Sequence, residues 1–114
     1  MTALHRGSCH CGRVRFEFEA AIDGAVTCNC SICSRKGAVL FAASESSFRL
    51  LTPADQMSTY TFNRHAIAHR FCKTCGMQPY SEHAGTHSVY INLRCVEGVD
   101  LASVPIMAFD GKSL

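Results

Sequence analysis

The sequence contains no apolar run approaching the roughly 18 residues that a membrane span requires. Its opening, Met-Thr-Ala-Leu-His-Arg-Gly, lacks the basic stretch and apolar core of a secretory leader. No internal repeat, low-complexity stretch or linker-like segment interrupts it. Positive charge is not concentrated anywhere, and Arg35-Lys36 is the only adjacent basic pair. These absences argue against membrane, secreted and nucleic-acid-binding classes. They predict a soluble cytoplasmic protein with no membrane or nucleic-acid partner.

The 114 residues suit a single domain, 1–114. A chain of this length buries about two-thirds of its unfolded surface, enough for a modest core. With 47% apolar and 18% charged residues, the composition is globular and not disordered.

What the sequence does have is cysteine. Seven of its eight cysteines fall into three clusters, Cys9-His10-Cys11, Cys28-Asn29-Cys30-Ser31-Ile32-Cys33 and Cys72-Lys73-Thr74-Cys75, leaving Cys95 alone. In a reducing compartment such spacings point to metal ligands before disulfides. A redox role for Cys72 and Cys75 would require a helix opening in a βαβ unit, and no such context surrounds them. With seven thiolates and two zinc ions, the formal charge of +2 becomes −1, which again disfavours nucleic acid.

The rest of the chain alternates. Arg13 to Ala20 switches between polar and apolar residues with period two and predicts a strand burying Val14, Phe16 and Phe18. Leu4 to Cys9 predicts a strand before it, and Asp23-Gly24 a hairpin-type turn after it. Ala38 to Ala43, Phe48 to Leu51, Ser58 to Phe62, Ala66 to Phe71, Pro79 to His83, His87 to Arg94 and Pro105 to Phe109 read as further extended segments, with a hairpin tip at Asn63-Arg64. Helical turns are expected at Ser34 to Gly37, at Thr52 to Asp55 and at Asp100 to Ser103. About eight short strands, mostly antiparallel, result.

Zinc takes four ligands at about 2.3 Å for thiolate sulfur; structural sites are closed, whereas catalytic sites keep one position for substrate. Seven clustered thiols divide into four and three. In an extended segment Cys9 and Cys11 share a face while His10 points away. A helical turn brings Cys30 and Cys33 to one side, within reach of Cys28. Spacing alone allows Cys72 and Cys75 to join either Cys9 and Cys11 or Cys28 and Cys30.

Gly7 to Phe16, Cys28 to Cys33 and Phe71 to Gly76, together with Asn92-Leu93-Arg94-Cys95 and Phe109-Asp110-Gly111, resemble the glutathione-dependent formaldehyde-activating enzyme (GFA) family, also called the centromere protein V family. The resemblance covers nearly the whole chain, which is shorter than the founding enzyme. It implies a mainly β fold, a β-tent of short antiparallel sheets stapled by zinc with a few helical turns. It also implies two zinc ions, a structural one on Cys9, Cys11, Cys72 and Cys75 and a functional one on Cys28, Cys30 and Cys33. The activity it implies is that of a carbon–sulfur lyase acting on thiol–aldehyde adducts, as in S-hydroxymethylglutathione formation. A small thiol such as glutathione and an aldehyde would be its partners. The rival function is a non-catalytic zinc-held module that binds a protein, because the β-tent also serves an exchange factor.

The remaining candidates have plainer expectations. Cys95, read as part of a strand, is expected in the core. His65 and His69, four apart on an extended segment, are roughly 13 Å apart and do not share a metal; His69 could line a pocket. His83 and His87 are expected at the surface, as are Arg35 and Lys36. Arg94 could equally meet a substrate carboxylate.

Overall fold

A computed structural model describes residues 2–113. Its strands are β1 (Ala3–Ser8), β2 (Arg15–Ala20), β3 (Ala25–Cys28), β4 (Leu40–Ser44), β5 (Phe48–Leu50), β6 (Met57–Tyr60), β7 (Ile67–Cys72), β8 (Tyr80–His83), β9 (Ser88–Asn92) and β10 (Ile106–Phe109), with one α-helix, α1 (Ser31–Lys36). Short 3-10 turns lie in the β4–β5, β5–β6, β8–β9 and β9–β10 connections and after β10. The fold is mainly β, as the alternation predicts, with ten strands among the described residues in place of about eight.

The strands form two sheets, β1-β2-β5 and β10-β3-β4-β9-β8-β7-β6. In the first, β1 and β2 pair from Ala3↔Ala20 to Ser8↔Arg15. The period-two pattern of β2 sends Phe16 and Phe18 inward with no residual exposure, and buried Val14 precedes them. The outward Glu17 pairs with Arg49 of β5 at 2.8 Å. Phe16 stacks on Phe48 at 5.5 Å and meets Tyr80 of the second sheet edge-on at 6.1 Å. Phe18 meets Phe41 of β4 at 6.0 Å. This aromatic cluster joins the two sheets, and each fully buried ring contributes about 1.5–3 kcal/mol.

Strands β6 to β9 form an antiparallel meander, with Asn63 and His65 in left-handed conformation at the expected β6–β7 tip. One expectation requires correction: Asp23-Gly24 does not close a hairpin, because β2 and β3 belong to different sheets. The pairings are antiparallel as expected except at one edge, where β10 runs parallel to β3, with Phe109 opposite Cys28. Parallel pairing brings the ends of both strands to the same edge, so the Cys28–Cys33 segment and residues 110–112 meet there.

Candidate metal centres and the adjoining cleft

The loop between β1 and β2 carries Cys9 and Cys11, with their sulfurs 3.7 Å apart. Strand β7 ends on the buried Cys72, and Cys75 follows in the turn. The Cys11 and Cys72 sulfurs lie 3.6 Å apart, and all four ligand atoms fall within 4.8 Å of one another. These separations far exceed a disulfide bond of about 2.05 Å. They match the edge of about 3.8 Å of a tetrahedron with zinc–sulfur bonds of about 2.3 Å. Val14 N donates to Cys9 Sγ at 3.3 Å and Thr74 N to Cys72 Sγ at 3.4 Å, contacts that orient thiolates toward an ion. Burial raises the Cys75 pKa, but N–H groups of Met77 and Cys11 and the neighbouring thiols outweigh it and bring it to about 6. The donor set suits zinc, and His10 is exposed and apart from it.

The second cluster is built differently. Cys28 ends β3, Cys30 immediately precedes α1, and Cys33 lies one turn into it. Their three sulfurs also lie within 4.8 Å of one another. Gly37, at φ 64°, ends the helix by donating its N–H to Cys33 O, the glycine stop that the sequence predicts. Burial pushes the Cys33 thiol up to about 12, aided by Cys30. Cys30 moves the other way: burial acts against ionisation, but the Cys33 N–H and the other two thiols hold its pKa below the ordinary value. Three thiols crowded in this way are a set that a divalent cation would bring to the thiolate form together.

The end of the chain lies on this cluster. Asn29 Nδ2 donates to Asp110 Oδ1 at 2.9 Å, and Lys112 N donates to Asn29 Oδ1, also at 2.9 Å. Gly111 is held so closely that a Cβ there would fall 2.5 Å from Cys28 Sγ. Gly111→Ala is therefore expected to displace Cys28. It should lower the affinity of the three-thiol cluster for zinc by about 10–100-fold, as losses of supporting contacts at metal sites do. A chelator competition assay checks this, and an unchanged affinity would show that the tail does not shape the cluster.

A cleft of about 440 Å³ opens beside α1, lined by Ile32 and Lys36 of that helix and by His69, Phe71, Cys75, Met77 and Gln78. His69 is only 5% exposed, and burial, helped by the Lys36 charge, brings its pKa down to about 4. The neutral ring accepts at Nδ1 from Gln78 Nε2 at 3.2 Å, so Nε2 carries the proton. Asn92 Nδ2 donates to Gln78 O and steadies that loop. His69 thus lines a pocket, one of the readings the sequence allowed.

Several other expectations change. Lys36 is half-buried in the cleft wall, not solvated, whereas Arg35 and Arg94 are exposed. Cys95 sits in a 3-10 turn, not a strand, because the Asn92 side chain accepts from Arg94 N and turns the chain there. It packs against the core and joins neither sulfur group, and burial raises its pKa to about 11. His83 is half-buried with its Nδ1 unpartnered, while His65 and His87 are exposed. The sequence assigns no role to Asn29 or Gln78, and Asp110 and Gly111 enter it only as part of the family resemblance; each acts through partners distant along the chain.

A mainly β frame carrying two thiol clusters, one of four sulfurs and one of three, defines a cysteine-rich protein whose sites could hold zinc. The chain belongs to the glutathione-dependent formaldehyde-activating enzyme family, whose model matches residues 4–107. It is also similar to a crystal structure of a Rhodobacter sphaeroides protein, with 31% identity and a TM-score of 0.79 over 90% of this chain and 99% of that one. Among the described residues, no helix is long and apolar enough to cross a membrane.

Proposed function

We propose that this protein is a cytoplasmic zinc-dependent carbon–sulfur lyase acting on thiol–aldehyde adducts, with glutathione and formaldehyde, the pair in its family's name, as the first candidates. The observation that carries the reading is the inequality of the two clusters. Four sulfurs at Cys9, Cys11, Cys72 and Cys75 would complete a closed structural site, whereas Cys28, Cys30 and Cys33 would leave one position of a tetrahedral ion for a substrate sulfur.

Zinc bound there would supply the charge that favours a substrate thiol's thiolate form near neutral pH. In the synthetic direction a sulfur–carbon bond forms and the aldehyde C=O π bond breaks. The thiol proton ends on the new hydroxyl oxygen, and lysis is the reverse. The cysteines serve as ligands, not nucleophiles. Asn29 ties the tail to the cluster through Asp110 and Lys112, so that the three sulfurs hold one arrangement. The cleft beside α1 gives the organic part of a thiol somewhere to lie.

The test is exchange between labelled formaldehyde and its thiol adducts, followed by NMR with glutathione and a panel of smaller thiols. Exchange at least about 100-fold faster than in buffer is expected for one or more thiols, equivalent to about 2.7 kcal/mol of barrier. No acceleration with any thiol would overturn the reading in favour of a non-catalytic, zinc-held binding module.

A further inference from the structure

Among the described residues Lys36 is the one lysine or arginine lining the cleft, and no acidic side chain lines it beside Ile32, Tyr60, Phe71 and Met77. Among the described residues no carboxylate lies within 4.0 Å of its ammonium group. Lys36 follows Cys33 by three residues on α1, so both lie on one side of that helix, and Lys36 thereby joins the three-thiol cluster to the cleft wall. Cys75 of the other cluster also borders the cleft. A half-buried ammonium without a carboxylate partner bears a desolvation cost that an incoming anion would offset.

We infer that the cleft selects the substrate of the three-cysteine centre and that Lys36 binds its carboxylate, so that the preferred substrate is a small thiol with an apolar body and one carboxylate. The inference rests on the thiol–aldehyde chemistry proposed above and, within the thiols, favours one smaller and less polar than glutathione. The walls fit the apolar body, since Ile32, Phe71 and Met77 offer no charge. Gln78 and His69 are already bonded to each other, which leaves Lys36 as the charged anchor. Because Lys36 follows Cys33 by about one turn of α1, a short thiol anchored there by its carboxylate would extend its sulfur toward Cys28, Cys30 and Cys33. An uncharged thiol of the same shape would leave the ammonium unpaired. Lys36 is on this account a specificity residue.

A competing role is that Lys36 only offsets the negative charge of the thiolates. The experiment separates the two by comparing 3-mercaptopropionate with the isosteric 3-mercaptopropionamide. Each is titrated into the zinc-loaded full chain at neutral pH, without aldehyde, and binding is followed through the backbone amide signals of Gly76, Met77 and Gln78. The carboxylate is expected to bind at least about tenfold more tightly than the amide, a difference a single charge-assisted contact can supply. Lys36→Met should bring the two within about twofold by weakening only the carboxylate, and Lys36→Arg should retain the preference. The inference is overturned if wild type shows no preference, if the preference survives Lys36→Met, if both ligands weaken equally, or if the cleft signals do not move. Because no aldehyde is present, failure of adduct chemistry alongside an intact Lys36-dependent preference would sink the lyase reading and leave this one standing.

Discussion

Cys72→Ser is expected to abolish the folded state. Cys72 is 1% exposed at the end of β7, opposite the buried Met57 of β6, and its sulfur lies 3.6 Å from that of Cys11, which enters from the other sheet's hairpin. A zinc ion on these four thiols would therefore tie β1 and β2 to the meander. Structural zinc in small domains contributes an apparent ~10–16 kcal/mol, whereas domains of this size have a net stability of about 5–15 kcal/mol. Loss of one ligand removes enough of that binding energy to exceed the margin, and the serine hydroxyl is poorly placed in a buried sulfur cluster. Circular dichroism and thermal denaturation check the outcome. Loss of the cooperative transition is expected, with the same loss in wild type on chelation; a Cys72→Ser protein that melts cooperatively near the wild-type midpoint would refute the structural role.

Cys30→Ser is expected to do the opposite, removing function while sparing the fold. The three sulfurs of its cluster are half-buried, and α1, which carries Cys33, buries none of its residues. Little packing depends on the site. A stability loss near 1 kcal/mol would lower the thermal midpoint by less than about 8 °C. One zinc ion should be lost, and adduct exchange should fall by at least about 100-fold, toward the rate in buffer. Unaltered exchange in a folded Cys30→Ser protein would move the chemistry away from this cluster.

The contrast between these two variants follows from how the clusters are built, and that construction was partly legible in the sequence. Cys30 and Cys33 declared a shared side because helical spacing is local, and Gly37 marked where the turn ends. Val14, Phe16 and Phe18 declared the core face of β2 by simple alternation. The partner of Cys72 and Cys75 was not fixed by spacing; the register of β7 in its sheet and the position of the β1–β2 loop decide it. Asp23-Gly24 carried a valid turn signal, but the division into two sheets is set by packing across the whole molecule. The position of Gly111 against Cys28 depends on the parallel pairing of β10 with β3, and the burial of Lys36 depends on the loop after Cys75. Neither dependence leaves a local mark. The turn at Cys95 is different, since Asn92 is a turn-forming side chain two residues before Arg94 and could have been recognised.

The account stands on two thiol clusters with separate duties, and the most direct test is the zinc content of the intact protein by native mass spectrometry. Two ions per chain are predicted for wild type and one for Cys30→Ser, with the folded charge-state distribution retained in both. A wild-type protein that holds a single ion under zinc-replete conditions would contradict it.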